Sequence, residues 1–97
     1  MKRLTEFTFT DSDGYSCLQT KNVELWTVLM EEQEELVLEM TIYGETVYRK
    51  FSSLSVGKKF YEMEKSRRLN VLEKLMITWL DRYIDKLKEM RDSIIAD

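Results

Sequence analysis

From Leu69 onward the chain carries one wide apolar stripe. At 100° per residue, with Met76 as origin, Leu69, Leu72, Met76, Trp79, Leu80, Tyr83, Leu87, Met90 and Ile94 fall within an arc of roughly 100°. Nine large side chains on one helical face must be buried against something. The candidates are the rest of the chain, a second copy or a foreign partner. The feature constrains architecture before it says anything of function.

The 97 residues suit one small domain, and a chain of this size buries only about 60–65% of its unfolded surface. Upstream of the stripe the pattern changes period. Leu36, Leu38, Met40 and Ile42 alternate with Val37, Glu39, Thr41 and Tyr43, the clearest strand signal in the chain. Phe7 and Phe9 alternate with polar neighbours over Leu4–Thr10, which predicts a first strand. Asp11-Ser12-Asp13-Gly14 reads as its turn and Tyr15–Thr20 as the returning strand. Val23–Met30 is rich in β-branched and large apolar residues and reads as a strand, with Glu31–Glu35 as a loop. A helix over residues 24–35 is the alternative, since Glu and Gln favour one. Gly44-Glu45, with Gly first, predicts a type II′ hairpin into Thr46–Phe51, with Val47 and Phe51 on one face.

Residues 53–69 read as a linker or short helix. Val56, Phe60 and Met63 could form a helical face, but it lies about 160° from the stripe of the last helix. That phase slip predicts a break near Ser66–Asn70. Asn70, with Glu73 at capping-box spacing, is the predicted start of the long helix over 70–96. The expected fold is therefore α+β: an antiparallel sheet of four to five strands, built of hairpins over residues 1–52, packed by a long C-terminal amphipathic helix. From Asn70 to Ile95 such a helix is about 39 Å long, against about 24 Å for a seven-residue strand. It must cross the sheet diagonally or project past it. A projecting end would carry Tyr83, Leu87, Met90 and Ile94, which are the candidate interface for a homodimer or another partner.

Charge is strongly segregated. Residues 1–48 carry a net −7, residues 49–68 a net +5 and residues 69–97 a net −1. The basic segment interleaves Phe51, Phe60 and Tyr61, the combination that single-stranded nucleic acid uses for phosphates and bases. Its candidate contacts are Arg49, Lys50, Lys58, Lys59, Arg67 and Arg68. The competing reading, which we favour, pairs these cations with the acidic N-terminal half, because an overall pI of 5.1 is not that of a nucleic-acid binder.

The absence of histidine removes the commonest general base and zinc ligand, and Cys17 is the only cysteine. No catalytic, cofactor-binding or metal-ligating set is assigned. Asp11-Ser12-Asp13-Gly14 begins like a calcium loop but fails at its sixth and twelfth places, Ser16 and Asn22, where Gly and Glu belong. Cys17 reads as a small strand residue. No apolar run is long enough to span a membrane, and no secretory leader is visible, so a reducing, cytoplasmic setting is expected. The functional expectation is a small non-enzymatic interaction or regulatory protein that binds another macromolecule, an inhibitor being one form. The alternative is a single-stranded nucleic-acid-binding protein that uses residues 49–68.

Overall fold

The structure is a computed structural model. It describes residues 6–95 of the backbone and the side chains of residues 6–85. Five strands form one antiparallel sheet in sequential order: β1 (Thr8–Ser12), β2 (Tyr15–Gln19), β3 (Val23–Met30), β4 (Glu35–Ile42) and β5 (Glu45–Ser53). Two helices follow, α1 (Leu54–Glu62) and α2 (Lys65–Ile95). The α+β class and the helix-packed antiparallel sheet are as the residue patterns predict.

The cross-strand register assigns the faces. Phe9, Leu18, Leu25, Met40 and Tyr48 align in one row, and Asp11, Ser16, Thr27, Leu38 and Lys50 in the next. These rows face the helices. Leu18, Leu25, Leu36, Leu38, Met40 and Ile42 of this face bury against Phe60 of α1 and Leu72, Met76 and Trp79 of α2. The alternating strand at Leu36–Ile42 and the stripe of α2 thus form the two halves of one core.

The helices make a V over this face. α1 starts directly after β5, with Ser53 as N-cap accepting a hydrogen bond from the Val56 amide at 3.3 Å. It runs across β4 and β3, where the Tyr61 hydroxyl donates to the Thr27 carbonyl at 3.1 Å. Gly57 permits the close approach: a Cβ there would sit 2.5 Å from Leu29 Cδ1 and 3.1 Å from Leu36 Cβ. At Met63 the backbone turns extended (ψ 155°) and α2 begins. α2 starts over β1, where the Lys65 ammonium lies 5.8 Å from the Phe9 ring. By Trp79 it has reached β5, with the indole 5.6 Å from the Tyr48 ring. The helix therefore crosses the sheet diagonally. Its 31 residues make about 46 Å, against about 27 Å for the eight-residue β4.

Several boundaries differ from the sequence reading. β1 runs to Ser12, so Asp11 and Ser12 belong to the ladder and Asp13-Gly14 alone makes the turn. The pairing of Asp11 with Ser16 favours this longer ladder; Leu4 and Thr5 lie outside the described residues. Residues 31–35 do not extend a helix. Glu31–Gln33 form one 3-10 turn, and Glu34 is left-handed (φ 56°) before β4 starts at Glu35. The next hairpin turns on Tyr43-Gly44 rather than Gly44-Glu45. Both central residues have positive φ (51° and 80°), a type I′ turn rather than II′. A bulge leaves Val47 without a β4 partner, because Thr46 pairs with Thr41 and Tyr48 with Met40. Val47 consequently packs with the core while Phe51 points to the opposite face, so the two do not share a side. The helix break lies at Met63–Glu64, not at 66–70. The stretch 53–69 holds helix α1 and the first turn of α2, and Asn70 is an exposed interior residue of α2, not its cap. The phase slip has the physical meaning assigned to it: Phe60 and the α2 stripe both reach the sheet only if the helix breaks between them.

Candidate functional site

Three places in the fold concentrate chemistry. The first is the apex of the V. The Arg68 guanidinium grips Asp11 with two bonds, Nε to Oδ1 at 3.1 Å and Nη2 to Oδ2 at 2.6 Å. Its Nη1 donates to the Met63 carbonyl, and Ser16 Oγ donates to Asp11 Oδ1 at 2.7 Å. Both charged side chains are nearly buried, so this is a fork-to-fork ion pair that clamps the α1–α2 turn onto edge strand β1. The Arg68 hydrogen bond holds the Asp11 carboxyl below its ordinary range, and Asp11 in turn raises Arg68. The arrangement is a structural clamp.

The second place is the face of the sheet that no described helix covers. The register puts Ser12, Tyr15, Val28, Val37 and Phe51 in one row of this face and Thr10, Cys17, Trp26, Glu39 and Arg49 in the next. Val37 is buried, Tyr15, Trp26 and Val28 are half-buried, and Phe51 is 57% exposed. Glu39 accepts from Arg49 (Nε at 3.2 Å, Nη2 at 2.5 Å) and from Thr46 Oγ1 at 3.0 Å. Glu24 and Glu35 flank the apolar rows on the same strands. Cys17 is a buried strand residue whose thiol is pushed up by burial; burial likewise raises Tyr15 and, on the other face, Tyr61. Among the described residues no three Cys, Asp or Glu side chains converge as a metal site.

The third place is a cleft of about 290 Å³ inside the V, between α1, α2 and β3–β5. Leu36 and Leu38 form its floor, Phe60 and Met63 one wall and Val71 and Leu75 the other, with Lys50 and Lys59 also lining it.

The six basic candidates do not form one surface. Arg49 lies on the uncovered face, Lys50 on the helix-covered face, and Lys58 and Lys59 on α1. Arg67 is exposed on α2 and Arg68 is in the buried clamp. Two of them, Arg49 and Arg68, pair with acids of the N-terminal half, as the favoured charge reading expects. Phe60 is core, and Phe51 faces away from every one of these cations except Arg49. Of the helix candidates, Tyr83 packs against the chain's own core. Leu87, Met90 and Ile94 lie in α2, with side chains outside the described residues. The uncovered aromatic face escaped the sequence reading because its residues come from five strands. Its one signal was Trp26, which sits out of phase with Leu25 and Thr27.

Comparison with family models, with curated proteins and with solved structures finds no match. Among the described residues no helix is long and apolar enough to cross a membrane.

Proposed function

We propose that the chain is a small non-enzymatic interaction protein that binds another protein through the uncovered face of its sheet, in a cytoplasmic setting. The observation that carries this is the pair of adjacent rows containing Tyr15, Val28, Val37, Phe51 and Trp26. Aromatic residues on a flat, half-buried surface are the usual anchors of protein interfaces. The charge around them selects the partner. Among the described residues of this face, Glu24, Glu35 and Glu39 stand against Arg49, and Arg49 is already paired. A phosphate backbone would meet net negative charge here. An apolar protein segment flanked by Lys or Arg would meet complementary charge. Blocking such a partner's own surface would make the protein an inhibitor of it.

The test compares capture from a native lysate, with and without nuclease, by the parent, by Phe51→Glu and by a control, Glu62→Lys on α1. A nuclease-resistant protein partner lost in Phe51→Glu and kept in the control supports the reading. Equal capture by both variants, or bound material that disappears with nuclease, refutes it. The second outcome would favour the single-stranded nucleic-acid reading.

The length of α2 favours a second contact, between copies. A helix some 19 Å longer than the strand it crosses carries its last apolar positions beyond the sheet, and a two-fold dimer through that end would cover both copies at once. Light scattering at micromolar concentration should give about twice 11.7 kDa; a monomer at all concentrations removes this proposal.

A further inference from the structure

We propose that two copies of the chain form an exchanged dimer, in which α1 and α2 fuse into one continuous helix and α2 of each copy packs on the sheet of the other. The contact does not depend on the protein-docking face.

The local sequence does not require the break at Met63–Glu64. Glu62, Met63, Glu64 and Lys65 are all good helix formers, with no Gly or Pro among them. Met63, the C-cap of α1, is extended (φ −69°, ψ 155°) rather than the left-handed glycine that commonly ends a helix. Glu64 stands just before α2, where Ser, Thr, Asp or Asn is preferred. The charges are also reversed for two separate helices. The acids Glu62 and Glu64 lie at the negative end of α1. Lys65, Arg67 and Arg68 lie at the positive end of α2, whose first turn holds no acid. In one continuous helix both dipole penalties vanish, and Glu64 and Arg68 become an i,i+4 pair in the favourable order. The bend is held from outside instead. Arg68 bonds the Tyr61 and Met63 carbonyls at the break and grips Asp11 of β1.

The phase of the apolar faces supplies the second copy. On a continuous helix the face of Val56, Phe60 and Met63 lies about 160° from the stripe of Leu69, Leu72, Met76 and Trp79. One sheet can cover both faces only across a break. Two sheets on opposite sides of the helix cover both without one. In the exchanged dimer Phe60 stays on its own sheet, and Leu72, Met76 and Trp79 meet the same sheet residues in the second copy. The contacts of the monomer are thus remade between copies, apart from those at the hinge. Opening without exchange would expose Leu72 and Met76, both 0% exposed in the closed fold. Residues 54–95 then make one helix of about 63 Å between two sheets, and the uncovered face of each sheet stays outward.

The test refolds the protein from urea at millimolar and at micromolar concentration and sizes it by light scattering. Concentrated refolding of the parent should give a dimer of about twice 11.7 kDa that persists on dilution, because α2 must leave a packed sheet before the copies part. Lys65→Pro should abolish this dimer. Proline is tolerated at the first position of α2 but not inside a fused helix, where it lacks the amide for the Tyr61 carbonyl and clashes with that carbonyl. The melting temperature of Lys65→Pro should match or exceed the parent's. Lys65→Ala removes the same ammonium, suits either helix and should dimerise as the parent does. A parent that stays monomeric after concentrated refolding, or a Lys65→Pro protein that unfolds, overturns the exchange. So does a dimer that behaves alike in the parent and in Lys65→Pro, which is the side-by-side contact through the end of α2.

Discussion

Removal of Arg68 tests whether the V is held by its apex. The guanidinium makes two bonds to Asp11 and one to the Met63 carbonyl, and its side chain is 12% exposed against 8% for Asp11. Arg68→Leu strands a nearly buried carboxylate that retains only Ser16 as donor. Breaking one partner of such a pair costs about 3–5 kcal/mol, and the residual exposure places the expected value near 3. That is a large part of the roughly 5–15 kcal/mol a small domain has. With a urea m-value of about 1–2 kcal/mol/M, the midpoint should fall by about 1.5–3 M. Asp11→Val should cost a similar amount, because it strands the arginine. The double variant Asp11→Val/Arg68→Leu leaves no unpaired charge and should lie within about 1–2 kcal/mol of the parent. The pH dependence carries a sign. Asp11 titrates below its ordinary range in the fold, so its contribution is complete above the unfolded aspartate pKa and is lost as pH falls through the folded value. In Arg68→Leu the carboxyl has lost the partner that lowers it, and burial raises it. The gap between parent and variant should therefore be widest near neutrality and narrow on acidification. Additive single variants costing under about 1 kcal/mol each, or a gap that widens in acid, would refute the clamp.

Trp79 is buried against Tyr48 where α2 reaches β5, so Trp79→Ala should cost about 3–5 kcal/mol; an unchanged melting temperature would mean the wrong helix face was placed inward. Tyr43 is 77% exposed with φ 51°, so Tyr43→Asn should stabilise by up to about 1 kcal/mol, read as a raised urea midpoint at constant slope. Lys58 and Arg67 are exposed and outside the clamp. Their joint reversal to Glu should leave stability within about 1 kcal/mol and change nothing in oligonucleotide titrations; sub-micromolar binding to a single strand at physiological salt, lost in this variant, would restore the nucleic-acid reading.

The α+β class, the strand at Leu36–Ile42 and the inward face of α2 were legible in the residues. Periodicity is local: a strand repeats every two residues and a helix every 3.6, whatever lies opposite. The phase slip between Phe60 and the α2 stripe likewise required a break, although only the packed structure puts it at Met63–Glu64. Everything that depends on pairing between distant segments was decided by tertiary structure. A two-residue hairpin can turn on Tyr43-Gly44 or Gly44-Glu45, and the choice, with the Val47 bulge, sets which side of the sheet Phe51 occupies. Arg67 and Arg68 are adjacent and chemically alike, yet one is solvated and the other buried, because only Arg68 meets Asp11, 57 residues away. The aromatic rows of the uncovered face and the cleft between the two helices exist for the same reason. Their members come from strands and helices far apart in the chain, and only the register of the sheet and the diagonal of α2 bring them together.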